Sequence, residues 1–89
     1  MDVNYKFTNE AELELYRAIC YFKLYKKDEL FLDDLLEQLR AVYAMPVAFQ
    51  IKYRQVRIVS LEKYSYSIHY TIYEDSIIIL RILNQKQDF

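Results

Sequence analysis

The sequence predicts an α+β fold, an N-terminal strand and helical hairpin followed by a mostly antiparallel β-sheet, in the order β-α-α-β-β-β. Two observations predict it. Apolar residues recur at three- and four-residue steps as far as Tyr43, then at every second residue after Pro46. The one break in the helical period, Lys26-Lys27-Asp28, is so short that the two helices it joins must fold back antiparallel. At 89 residues the chain is read as one domain, 1–89. With 54% hydrophobic residues it has the apolar surface for a core, and its ten tyrosines belong largely at the core's edge, where their hydroxyls find partners.

Val3–Phe7 reads as the first strand. Thr8 or Asn9 supplies an N-cap oxygen, and Asn9 to Glu12 has capping-box spacing. Leu13, Tyr16, Cys20 and Leu24, with Ile19 alongside, predict the buried face of a helix over about 11–25. Cys20 on that stripe is a packing residue, since a reactive thiol needs an electropositive, open setting. The second helix, over about 29–43, shows Leu32, Leu35, Leu36, Leu39, Val42 and Tyr43 on one face, with Asp33, Asp34, Glu37 and Arg40 opposite. Pro46 ends it, because the residue before proline disfavours helical backbone.

Strand alternation follows. Phe49, Ile51 and Tyr53 alternate with Gln50, Lys52 and Arg54; Val56–Leu61 is the next strand. Tyr66, Ile68, Tyr70 and Ile72 then alternate with Ser67, His69, Thr71 and Tyr73. Glu74-Asp75 is a turn, and Ser76–Leu83 carries an apolar run over 77–80 that marks a central strand. Leu35, Leu39, Ile68, Tyr70, Ile78 and Leu80 are the expected core, and Asn84–Phe89 is a polar end.

Composition excludes much chemistry. A chain without glycine cannot form a glycine-rich phosphate loop. One cysteine and one histidine provide neither a disulfide framework nor a zinc site, so no cofactor and no metal are expected. The N-terminal residues lack a basic segment followed by an apolar one, and no apolar run is long enough to span a bilayer, so no membrane association and a cytoplasmic location are expected. Lys52, Arg54, Arg57 and Lys63 form the one positive concentration, either a solvated strand edge or a surface for phosphate or an acidic partner.

From Pro46 onward the run Phe49-Gln-Ile-Lys-Tyr53, Val56-Arg57, Tyr66-Ser-Ile-His-Tyr70-Thr-Ile, Ile78-Ile-Leu-Arg81-Ile-Leu resembles the RelE/ParE superfamily of bacterial type II toxins, its ParE-like branch in particular. Phe31–Leu39 resembles the family's second helix. The chain departs from the pattern at Tyr64-Ser65-Tyr66, where many relatives have Phe-Pro-Tyr, and at Glu62, Asn84 and Gln87, where a basic residue, a histidine and an arginine are usual. The resemblance implies a toxin that binds a target protein, DNA gyrase in this branch, and that a cognate antitoxin neutralises. It also implies a role in plasmid stabilisation.

Two alternatives stay open at this level: a ribosome-dependent mRNA interferase of RelE type, and a degenerate, non-toxic interaction domain. The nuclease relatives use Lys, Arg and Tyr on later strands and the tail. By resemblance, their strand arginine falls on Ser67, their second arginine on Gln87, and their tail tyrosine beyond Phe89. Were the chain a nuclease, Arg57, His69 and Arg81 would be its groups; otherwise no catalytic residue is assigned. His69 and Arg81 also have plain structural readings, Arg81 snorkelling from a central strand to an acid. The expected partner-binding residues are Lys52, Arg54, Arg57, Lys63 and Arg81, with Tyr21 and Tyr25. Tyr16, Tyr21, Phe22 and Tyr25 give the first helix more aromatic surface than one stripe can bury, beside Lys23, Lys26 and Lys27, which fits an antitoxin footprint or self-association into a homodimer.

Overall fold

A computed structural model describes residues 4–85, in the order β1 (Asn4–Phe7), α1 (Asn9–Lys23), α2 (Asp28–Ala44), β2 (Ile51–Tyr53), β3 (Val56–Ser60), β4 (Tyr66–Tyr73) and β5 (Ser76–Asn84). The expected α+β class holds. Val3 and Gln87, to which the sequence assigned a strand start and a missing arginine, lie outside the described residues. The five strands run in the order β1-β5-β4-β3-β2, with β1 parallel to β5 and the other pairs antiparallel. β5 is thus central, as its apolar run predicts.

The helices cover one face of the sheet, and the core lies between them. Phe31, Leu35, Leu39 and Val42 of α2 and Ala11, Ala18 and Phe22 of α1 meet Val59, Ile68, Tyr70, Ile77, Ile79 and Ile82. At the end of the sheet that holds the β3–β4 loop, Phe22 stacks on Phe31 at 4.7 Å and meets Tyr64 edge-on at 4.9 Å. Such ring pairs add to area burial and pin the hairpin to the loop.

The roll of both helices differs from the expectation. In α1 the buried stripe is Ala11, Ala18 and Phe22, with Leu15 and Ile19 half-buried, whereas Leu13, Tyr16, Cys20 and Leu24 point outward. The helix is apolar on two opposite sides, and periodicity alone cannot say which meets the sheet. In α2, Leu36 is exposed and Asp34, assigned to the solvent face, is buried. Its carboxylate accepts the Lys63 amide at 2.8 Å and the Glu62 amide at 3.3 Å, so a buried acid holds the β3–β4 loop. β2 is shorter than the alternation from Phe49 suggests; Phe49 lies before it, with its ring edge-on to Tyr70 at 6.4 Å. Leu35, Leu39, Ile68 and Tyr70 are buried as expected, but Ile78 and Leu80 are only half-buried. Ile78 pairs with Thr71 on the face away from the helices, and Leu80 has no cross-strand partner, because Ile79 opposes Tyr70 and Arg81 opposes His69. Leu80 is the extra residue of a β-bulge.

α1 is joined to β5 where β1 runs out. β1 pairs with β5 only over Ser76–Ile79. Beyond it, the Thr8 hydroxyl donates to the Leu80 carbonyl at 2.9 Å while accepting the Ala11 amide at 3.1 Å as N-cap. One turn on, Glu14 accepts the Ile82 amide at 2.9 Å and Arg81 through Nε at 3.0 Å and Nη2 at 2.6 Å. Arg81 does reach an acid, as the snorkelling reading requires.

Without glycine, ordinary residues take the left-handed backbone that the connections need. Lys26 (φ 59°) closes α1 with Lys27 N–H on the Phe22 carbonyl, a Schellman arrangement. Arg54 and Gln55 (φ 42° and 67°) form the two-residue β2–β3 turn, and Glu74 (φ 56°) opens the β4–β5 turn.

Two outcomes are expected in urea unfolding. Lys26→Gly and Gln55→Gly each raise stability, by roughly 0.5–1 kcal/mol, because the Cβ clash disappears at a site already in left-handed backbone. Glu14→Ala lowers it by about 1–3 kcal/mol, since an edge amide and a guanidinium lose their acceptor together.

Candidate functional site

Three regions of the surface carry chemistry or open apolar area. The first is the sheet face turned away from the helices. Adjacent strand residues point to opposite faces, and Tyr70 faces the helices, so His69 faces away, together with its cross-strand partner Arg81. His69 is nonetheless only 2% exposed. Its Nδ1 lies 3.0 Å from the Tyr53 hydroxyl and its Nε2 3.3 Å from the Ser67 hydroxyl. The ring therefore sits between two hydroxyls, one from β2 and one from its own strand, with β3 between β2 and β4. Burial pushes the His69 imidazole below its usual titration range, the Arg81 guanidinium adds to this, and Glu14 opposes it. His69 is held neutral.

Of the three groups a nuclease would use, two share a face and one does not. Arg57 pairs with Tyr70, and Ile58 pairs with His69, so Arg57 is on the helix side of the sheet and His69 on the other. Arg57 is half-buried, and its Nη1 donates to the Phe49 carbonyl at 2.5 Å. Arg81 is gripped by Glu14, with Glu10 at 3.9 Å, and this pairing raises its pKa further.

The second region is split, and the residues expected from the sequence to bind a partner divide between its two parts. Lys52 and Arg54 are exposed on the edge strand β2 and its turn. Lys63, Tyr21 and Tyr25 lie at the opposite end of the sheet: Lys63 and Tyr21 line one hollow of 260 Å³ with Tyr64, Tyr66 and Asn84, and Tyr21 packs on Tyr25 at 5.3 Å. The sequence presented these residues as one group; the antiparallel hairpins send them to different ends.

The third region was not singled out from the sequence. Between α1, α2 and β1 runs a groove of 470 Å³ with apolar walls from Leu15, Leu32, Leu36, Leu39, Tyr5 and Tyr43, rimmed by Arg40. The Tyr5 hydroxyl donates to the Leu39 carbonyl at its floor, and burial pushes that phenol up to about 12. The available signal was the width of the α2 stripe. Leu32, Leu36 and Tyr43 are more apolar surface than the sheet can cover, and they form the wall of the groove.

The neutral histidine gives a pH dependence with a definite sign. In the unfolded chain His69 titrates near its ordinary 6.5, and in the folded chain lower. The unfolded state therefore takes up the proton first as pH falls. The contribution of His69 is whole above about pH 6.5 and is lost as pH drops toward the lowered value. His69→Gln should be less stable than the parent at pH 7.5, and the gap should narrow by pH 5.5 in paired urea titrations.

Comparison with known proteins agrees with this architecture. A chain described as the chromosomal ParDE TA system from P. aeruginosa superimposes with a TM-score of 0.76 over 92% of this chain and 95% of its own, at 23% identity. That likeness establishes the fold. No curated protein matches. The family model "ParE toxin of type II toxin-antitoxin system, parDE" matches residues 5–89. With nearly its whole length so matched, the chain belongs to the ParE toxin family of type II toxin–antitoxin systems.

Proposed function

We propose that this chain is a toxin that acts in the cytoplasm by holding a target protein rather than by cutting RNA, that the target is DNA gyrase, and that an antitoxin segment neutralises it. One observation carries the choice between binding and cleavage. Arg57 and His69 lie on opposite faces of the sheet, and Arg81, which does share a face with His69, is committed to Glu14. In-line attack by a 2′-hydroxyl needs a base, an acid and cations converging on one phosphate. This arrangement does not assemble them. His69 held between Tyr53 and Ser67 acts as a strut across three strands.

The target is read from the family, and the antitoxin from the family together with the surface. A segment that is disordered when free needs apolar area to offset its ordering. The groove between α1, α2 and β1 supplies that area, and Arg40 on its rim meets an acidic flank. The β2 cations Lys52 and Arg54 stand apart on the far edge, available to the target. No helix among the described residues is long and apolar enough to cross a membrane.

Three measurements test this reading. Purified protein should inhibit gyrase supercoiling, and Lys52→Glu with Arg54→Glu should weaken inhibition about ten-fold or more while leaving the circular dichroism unchanged. Primer extension after induction in a bacterial host should reveal no new mRNA ends. Cleavage at ribosomal A-site codons that His69→Ala abolishes would overturn the binding reading in favour of an mRNA interferase. Leu36→Arg, at a half-exposed position in the groove wall, should lower affinity for the co-expressed antitoxin at least ten-fold with inhibition of gyrase retained. Absence of both gyrase inhibition and RNA cleavage would identify a non-toxic interaction domain.

A further inference from the structure

The stretch between α2 and β3, residues 45–55, is fastened to the sheet largely by side chains. Its strand β2 is three residues long and lies at the edge of the sheet. It meets β3 at two pairs, Ile51 with Arg57 and Tyr53 with Val56, with an irregularity between them. So short a ladder gives an edge hairpin little stability of its own. At the root of the stretch, the Tyr70 hydroxyl donates to the Pro46 carbonyl at 2.7 Å, and Arg57 Nη1 donates to the Phe49 carbonyl at 2.5 Å. Both donors belong to the sheet face that carries the helices. At its tip, Thr71 Oγ1 donates to the Gln55 carbonyl at 3.0 Å, and the Tyr53 hydroxyl lies 3.0 Å from His69 Nδ1. Thr71 and His69 belong to the opposite face. The Thr71 bond is exposed, where water competes for both partners. His69 is buried, and the Tyr53 ring meets it edge-on at 6.1 Å. Root and tip are thus fixed separately, and the tip depends on one buried contact.

We propose that β2 and its turn form an arm hinged over 46–49, and that the Tyr53–His69 contact is the catch that closes it, released when His69 takes up a proton. The groups around His69 give this its sign. β2 sets the Tyr53 hydroxyl against the ring, β3 the uncharged Ile58, and its own strand Ser67. β5 brings Arg81, and α1 brings Glu14, already bound by Arg81, with Glu10 3.9 Å from the same guanidinium. In the closed arm an imidazolium would be shut away from water near Arg81, so closure favours the neutral ring. With the arm lifted, Tyr53 no longer covers the ring, and the imidazole titrates near its ordinary 6.5. The lifted state therefore takes the proton first as pH falls, and acid opens the arm. The effect begins near pH 6.5 and grows by at most about ten-fold per pH unit, the limit for one proton. Lys52 and Arg54 ride on the arm, so acid unfixes the two exposed cations at the edge of the sheet.

Every group involved belongs to this chain, so the catch is independent of the toxin reading. Two measurements on the full-length protein test it. His69 is the one histidine, so its ring protons give a single titration curve by NMR. The curve should have its midpoint below 6.5; a midpoint at or above 6.5 would overturn the proposal. Hydrogen exchange, read as protection factors, follows the arm itself. Amides over 51–56 should be protected at least ten-fold less than those of Ile68 and Ile79, which marks an opening separate from global unfolding. Their protection should fall several-fold from pH 7.5 to pH 5.5 in the parent and stay level in His69→Gln. Tyr53→Phe, a change at a half-exposed position, should lower it about five-fold at pH 7.5. Arm amides as protected as the central strands would show that no separate opening exists. Protection that ignores pH in the parent, or responds to it equally in His69→Gln, would remove His69 from the catch and the proposal with it.

Discussion

The carboxylate of Glu14 fixes how the helical layer sits on the sheet. β1 is four residues long and covers β5 only over its first half. Past Ile79 the central strand would otherwise become an edge, with amides open to any other strand. Glu14 closes that edge from the helix side, taking the Ile82 amide and both faces of the Arg81 fork. Because these bonds need Glu14 turned toward β5, they set the roll of α1. Once the roll is set, Ala11, Ala18 and Phe22 face inward, and Leu13, Tyr16, Cys20 and Leu24 face outward. The exposed stripe is thus a consequence of how an edge is protected. Arg81 is drawn into the same arrangement.

Element types were legible from the residues because each rests on a local property. The change of period at Pro46, a short break between two helices and an interior strand over 77–80 all appear in the structure, although the break lies at 24–27 rather than 26–28. Facing was legible only where an element is amphipathic in one direction. β4 is such an element, with Ile68 and Tyr70 toward the helices and Ser67, His69 and Thr71 away. α1 is not, because both its sides are apolar and the deciding contact, Glu14 to Ile82, spans most of the chain. Asp34 failed to announce itself for a similar reason. Its partners are backbone amides at Glu62 and Lys63, which every residue offers, so no side-chain pattern points to them.

The candidate site divides along the same line. His69 was identified as the one residue with acid–base chemistry, and its polar face was placed correctly. Its neighbours were not predicted, because Tyr53 reaches it across an intervening strand and depends on the β2–β3 register. The seven residues expected to bind a partner were taken as one group, whereas hairpins separate residues by strand length. Lys52 and Arg54 sit at one end of the sheet and Lys63 at the other, about five residues of β3 apart. At ~3.4 Å per residue that is more than one strand width and too far for one side chain of a partner to bridge.

The absence of glycine gives a further reason to read the surface as one shaped by binding. Lys26, Arg54 and Glu74 hold left-handed backbone at three of the turns, each at a cost that glycine would remove. Two of the three are cations at positions where the backbone projects them outward: Lys26 beyond the end of α1, and Arg54 at the tip of the β2–β3 hairpin. A turn residue in this conformation directs its Cα–Cβ bond outward from an apex, and both Lys26 and Arg54 are exposed there. The strain is small beside the stability of a domain of this size, yet it is placed where the chain is most accessible. Residues chosen for folding alone would favour glycine or asparagine there. Charged side chains at the same positions exchange a fraction of stability for exposed points of contact, which suits the proposed action by holding another protein.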